Sequence, residues 1–255
     1  MPERNIRLTI EYKGANFAGW QIQSNQRTIQ GEITDAIFKT TACQVNVIGA
    51  GRTDAGVHAL GQVANFRIDH SLDPARYRDA LNFYLPEDIR IRDSAEVNLD
   101  FHARRDAVSK RYRYLFSTEK SALYRDLRWE RPVQLDGALL RGAAKLIKGE
   151  HDFAPFCVAA SRKESNLCRV YSSHWRQVGP LLVFEIRGDR FLHGMVRSLV
   201  GAMVNLATVE QDDNPHNLTL KKFANIMDSP EQERVAFTAP PQGLYLVSVQ
   251  YTEDS

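Results

Sequence analysis

The sequence predicts an α+β fold: two ferredoxin-like β-α-β-β-α-β halves joined into one mixed, mainly antiparallel sheet with the helices on one side. Three observations predict it. Several short segments alternate apolar and polar residues with a period of two. Others place apolar residues three and four apart, as a helix with one buried face does. The resulting element order then occurs twice along the chain. Residue identity between the halves is weak, so the repeat is one of order alone. The expected division is 1–105 and 106–255.

In the first half, Asn5 to Tyr12 alternates cleanly, with Ile6, Leu8, Ile10 and Tyr12 on one face. Lys13 to Gln21 reads as a loop with two glycines. Thr28 can cap a helix whose stripe is Ile29, Ile33, Ala36 and Ile37. Strands Gln44–Ile48 and Gln62–Ile68 follow, on either side of a glycine-rich loop. Asp73-Pro74 marks a helix start, with the stripe Tyr77, Ala80, Leu81 and Tyr84. Ile89–Val97 completes the half as a strand.

The second half opens with the strand Ser109–Thr118, then a helix carrying Leu139, Leu140, Ala143 and Ile147. Arg169–Gln177 and Leu181–Arg187 pair around Gly179-Pro180. A long apolar helix at about 193–209 and a shorter one over Leu218–Asp228 precede a last strand, Leu244–Tyr251. Joined sheets of this kind would leave an open face lined by Arg and Tyr.

Composition narrows the function class. Apolar residues make up 43% and charged residues 25%, as in an ordinary globular protein. The longest apolar segment, Phe191–Leu206, contains His193 and Arg197 and is too short to span a bilayer. The N-terminus has no apolar run of the secretory kind, so a cytoplasmic location and no membrane partner are expected. Cys43, Cys157 and Cys168 form no C-x-x-C pair and read as free thiols. The histidines form no zinc pattern, so no metal is expected. A net charge of +2 leaves nucleic-acid binding open, because local clusters decide it. Two basic clusters exist: Arg104, Arg105, Lys110, Arg111 and Arg113, and then Arg187, Arg190 and Arg197.

The unusual stretch is Gly49 to Phe66, where Gly49, Gly51 and Gly56 bracket Arg52, Thr53 and Asp54. Glycines there imply a loop of forced shape between two strands. A dinucleotide fingerprint would need a third glycine where Asp54 stands, and a carboxylate there would repel pyrophosphate. A P-loop would need Lys-Ser/Thr where the chain has Val57-His58. Two readings remain from the residues themselves: a turn with a solvated Arg–Asp pair, or a reactive Asp54.

Residues Gly49 to Ala59 closely resemble the signature of tRNA pseudouridine synthases of the TruA type. Further windows resemble the same family in the same order: Phe17 to Gln21, Asp100 to Arg104, Lys110 to Tyr114, Gly149 to Phe153, Phe191 to Arg197 and Gly243 to Val247. Cys168-Arg169 departs from it, since members more often have Thr-Arg. The resemblance implies the pseudouridine synthase fold, with Asp54 as catalytic aspartate, Tyr112 as the tyrosine near the target base and Arg197 as the arginine paired with the aspartate. It implies substrate contacts from Arg52, which handles the flipped nucleotide, and from Tyr112 and Leu244. The implied substrate is tRNA, at uridines 38, 39 and 40 of the anticodon stem-loop, and the implied assembly a homodimer.

The chemistry suits such residues. Breaking a glycosidic C–N bond and rejoining the uracil through carbon yields an isomer, so no cofactor is needed. The substrate carbon becomes electrophilic as the base departs, which calls for an ionised carboxylate as nucleophile or charge stabiliser. A cation beside it keeps it ionised, and an aromatic ring can hold the detached base. A base in a stem has to be flipped out to reach such a site. Two alternatives from other classes are a non-catalytic RNA-binding module, which needs the Arg and Tyr surface but not Asp54, and a nucleotide-cofactor enzyme, which needs the Gly49 loop to lead into a helix.

Overall fold

The computed structural model describes residues 2–209, 218–228 and 237–252. By its internal contacts the chain forms two compact units, Met1–Lys110 with Tyr245–Ser255, and Arg111–Leu244.

The first unit follows the expected order: β1 (Arg4–Tyr12), α1 (Ile29–Thr41), β2 (Ile48–Gly49), β3 (His58–Ile68), α2 (Tyr77–Tyr84) and β4 (Ile89–Val97). Strands run β4-β1-β3, with β2 on the far edge of β3 and every one of these pairings antiparallel. Ile6, Leu8, Ile10 and Tyr12 are buried, as the alternation requires. Thr28 caps α1 by accepting from Gly31 N–H at 3.3 Å, and Ile29, Ile33, Ala36 and Ile37 face the core. Asp73 caps a single 3-10 turn, Pro74–Arg76, which leads into α2.

Two boundaries differ from the sequence reading. The strand expected at 44–48 shrinks to Ile48–Gly49, because the Val47 carbonyl is taken by the side-chain amide of Gln30 on α1 at 2.8 Å. The strand expected from Gln62 starts at His58, because residues 58 and 59 pair with distant segments, Ala59 with Tyr12 among them. The second face of β3 is also less open than expected. Val63 joins Ala50, Phe101 and Ala103 in a buried cluster. Asn65 and Asn5 fasten the covering segment, Asn65 accepting from Ala103 N–H at 2.9 Å and Asn5 donating to the Phe101 carbonyl at 2.9 Å.

The second unit contains β5 (Ser109–Ser117), β6 (Trp129–Glu130), α3 (Gly137–Leu146), β7 (Gly149–Asp152), β8 (Leu167–Val178), β9 (Leu181–Gly188), α4 (Met195–Ala207) and α5 (Leu220–Asp228). Strands β5, β9 and β8 lie side by side in that order, as β1, β3 and β2 do in the first unit, and β7 extends the far edge. The short strands β6 and β7 interrupt the simple repeat read from the sequence. Both are too brief to show a period. Asp136 caps α3 by accepting from Ala138 N–H at 2.7 Å and Leu139 N–H at 3.2 Å. Every residue of α4 is buried except Arg197. Among the described residues no helix is long and apolar enough to cross a membrane.

The last strand, β10 (Leu244–Gln250), counts with the first unit from Tyr245 onward. Tyr245 and Leu246 pair in parallel with His58 and Ala59 of β3. Val249 and Tyr251 pack on the Ala50–Val63–Phe101–Ala103 cluster, and the Tyr251 hydroxyl donates to the Ala103 carbonyl at 2.7 Å. Gly61 permits the approach, since a Cβ there would sit 2.7 Å from the Val247 carbonyl oxygen.

Candidate active site

Between β2 and β3 the chain makes the loop that carries Arg52, Thr53 and Asp54. Its base is closed by Ala50 N–H to the Val63 carbonyl at 2.8 Å and by the Gln62 side-chain amide to the Gly51 carbonyl at 2.8 Å. Its middle is held from the β1–α1 loop, where Trp20 N–H donates to the Thr53 carbonyl at 3.0 Å. Past the apex, Val57 N–H donates to the Asp54 carbonyl at 3.2 Å and Gly56 N–H to the Phe17 carbonyl at 3.4 Å. Thr53 turns inward and is buried, while Arg52 is exposed and Asp54 half-buried. The loop therefore carries an exposed cation and a half-buried carboxylate on a backbone fixed on several sides.

The glycines of this loop do different work. Gly49 lies flat on Trp20, whose ring atoms would stand 2.5–2.7 Å from an added Cβ. Gly56 adopts φ +78°. Gly51 needs neither freedom, for the nearest atom to an added Cβ is Lys110 Cε at an ordinary 3.5 Å.

Beyond the loop, His58 is buried with its Nδ1 accepting from Gly14 N–H at 3.1 Å. That fixes the neutral tautomer with the proton on Nε2. The ring stacks on Tyr245 with centroids 4.7 Å apart, and burial pushes the Tyr245 hydroxyl up to about 12. Nothing in the sequence joins β3 to β10, so only the fold makes His58 and Tyr245 a pair.

Tyr112, Arg197 and Leu244 belong to the second unit, whereas Arg52 and Asp54 belong to the first. Tyr112 is buried on β5 and meets Phe191 edge-on, with centroids 5.1 Å apart and planes at 80°. Arg197 projects from α4 and its Nε donates to the Ala239 carbonyl at 2.8 Å; Ala239 N–H donates back to the Arg197 carbonyl at 3.0 Å. Its charge also reaches Tyr114, whose hydroxyl is raised by burial and lowered in part by Arg197. Leu244 is buried at the start of β10. Next to it Gly243 lies against the Tyr114 ring, 2.5–2.6 Å from an added Cβ. Among the described residues no group of three or more His, Cys, Asp or Glu is placed to hold a metal ion.

Comparison with known proteins follows the same residues. The family described as tRNA pseudouridine synthase matches residues 8–106 and 143–252. The chain is 41% identical to a tRNA pseudouridine synthase A from Acetivibrio thermocellus, over 97% of this chain and all of that one. It is 40% identical to the protein of that name from Caldicellulosiruptor bescii, again over 97% of this chain and all of the relative. A third, from Rippkaea orientalis, is 40% identical over 98% of this chain and 84% of its own length.

Proposed function

The chain belongs to the tRNA pseudouridine synthase family and is an isomerase acting on tRNA, and from that premise we propose that Asp54 is its nucleophile and that its targets are uridines 38, 39 and 40 of the anticodon stem-loop. The observation that carries this reading is the loop itself: a half-buried carboxylate beside an exposed guanidinium, with the backbone held from β3 and the β1–α1 loop and the Thr53 side chain from β1.

The reaction breaks one C–N bond, forms one C–C bond and moves a proton from the ring carbon to the ring nitrogen. Substrate and product share the same atoms, so the chain needs a stabiliser of charge and a holder of the base. Asp54 meets the sugar carbon as it becomes electrophilic. Tyr112, kept from turning by Phe191, packs on the detached uracil. Arg197 supplies the positive charge that favours the ionised carboxylate. Arg52 engages the nucleotide as it leaves the stack, and Leu244 adds an apolar contact. The enzyme works in the cytoplasm as a homodimer.

Pseudouridine-specific mapping of tRNA treated with pure protein tests the reading. Asp54→Asn removes the charge with little change in volume, so turnover should vanish while tRNA affinity stays within a few-fold. An active Asn variant, beyond trace deamidation, would remove Asp54 from the role. Modification outside the anticodon stem-loop would overturn the assigned targets.

A further inference from the structure

The Asp54 loop rests on side chains outside its motif. The Thr53 hydroxyl lies 2.8 Å from the Tyr12 hydroxyl, and the two residues are 7% and 2% exposed. Tyr12 ends β1, just past the point where the β1–β3 register shifts between Ile10 and Tyr12, and it stands opposite Ala59. Beside it is Gln62, wholly buried, whose amide donates to the Gly51 carbonyl and lies 3.5 Å from the Tyr12 oxygen. Burial raises the Tyr12 hydroxyl far above its ordinary value, so it stays protonated.

We propose that Tyr12, assisted by Gln62, is a positioning residue that sets the direction of the Asp54 carboxylate by holding Thr53 inward. Arg52 and Asp54 flank Thr53 directly; Arg52 is exposed and Asp54 half-buried, while Thr53 between them is buried. The Trp20–Thr53 bond joins backbone atoms alone, so the loss of either hydroxyl leaves its donor and acceptor intact. What is lost is the fixed rotation of residue 53, and with it the aim of its neighbours. A misplacement of about 1 Å at a reacting group costs on the order of 10²-fold in rate. The inference rests on the reading of Asp54 as nucleophile, and Asp54→Asn is therefore run in the same series.

The experiment measures kcat, KM and urea resistance with full-length protein and tRNA for Tyr12→Phe, Thr53→Val, the double variant, Thr53→Ser and Asp54→Asn. Tyr12→Phe should lower kcat roughly 10- to 100-fold with KM within about twofold. The double variant leaves neither hydroxyl unpaired, so it should regain urea resistance while kcat stays low. Thr53→Ser keeps the hydroxyl and should stay near wild type. Should Tyr12→Phe not fold, Thr53→Val breaks the same bond from the other side and carries the same expectation. If kcat is unchanged in Tyr12→Phe and in the double variant while Asp54→Asn is inactive, the inference alone is overturned. If kcat recovers together with urea resistance in the double variant, Tyr12 is merely structural and the inference is overturned too. An active Asp54→Asn overturns the nucleophile reading and this inference with it.

Discussion

Gly19→Ala should be costly, and the cost can be assembled from the geometry. Gly19 has φ +96°, outside the region that residues with a Cβ adopt readily, which costs roughly 1–2 kcal/mol. An added Cβ would also stand 2.6 Å from the Thr53 carbonyl oxygen and 3.1 Å from Asp54 C and Ala55 N. These are backbone atoms of the loop and cannot swing aside, so overpacking adds about 1–3 kcal/mol. The sum is roughly 2–5 kcal/mol, read from urea denaturation of the full-length protein. Two other glycines separate the contributions. Gly179 has φ +56° with nothing within 4 Å, so Ala there should lose only the conformational part, about 1 kcal/mol, from the second unit. Gly51 meets no close atom and lies outside the left-handed region, so Gly51→Ala should stay within about 0.5 kcal/mol. Because the loop has to retreat from the new methyl group, kcat of Gly19→Ala should fall even in the folded fraction. Equal stability of Gly19→Ala and Gly51→Ala would refute the reasoning.

Asp136→Ala removes the acceptor of two α3 N–H groups and should cost about 1 kcal/mol in urea denaturation. Burial pushes the Glu185 carboxyl up, but the Arg113 hydrogen bond at 2.8 Å and the charges of Arg113, Arg176 and His174 outweigh it and hold it below its ordinary value. A depressed carboxyl stabilises the fold above its unfolded pKa near 4.5, and that stabilisation is lost as pH falls through the folded value. Glu185→Gln should therefore be less stable than wild type at about pH 7 and converge with it once the pH has fallen below the folded value, and a gap that persists in strong acid would contradict the ion-pair account. Tyr112→Phe keeps the edge-on contact with Phe191 and should fold normally, whereas Tyr112→Ala should lose about 3–5 kcal/mol. In turnover Phe should be impaired and Ala worse; a fully active Phe variant would limit Tyr112 to packing.

The sequence by itself determined what local patterns determine. Alternation over Asn5–Tyr12, the stripe from Ile29 to Ile37 and the Thr28 cap are written in neighbouring residues, and β1 and α1 formed where those patterns lie. The Arg52-Thr53-Asp54 loop between strands was legible for the same reason, since glycines and an isolated carboxylate stand out in a short window. Arg197 was legible as an interruption of an apolar helix, and it is the one residue of α4 that is not buried. Tertiary structure decided whatever depends on residues far apart in the chain. Tyr12 reads as one more apolar residue of an alternating strand until Thr53, 41 positions away, brings a hydroxyl to it. β3 begins four residues earlier than its pattern because β1 and β10 supply partners, and β10 belongs with the first unit because parallel pairing and Tyr251 tie it there. Gly49 and Gly51 look alike in the sequence. Only the packing of Trp20 on one and the ordinary contact distance beside the other distinguish them, because what excludes a side chain is the atom that already occupies its volume.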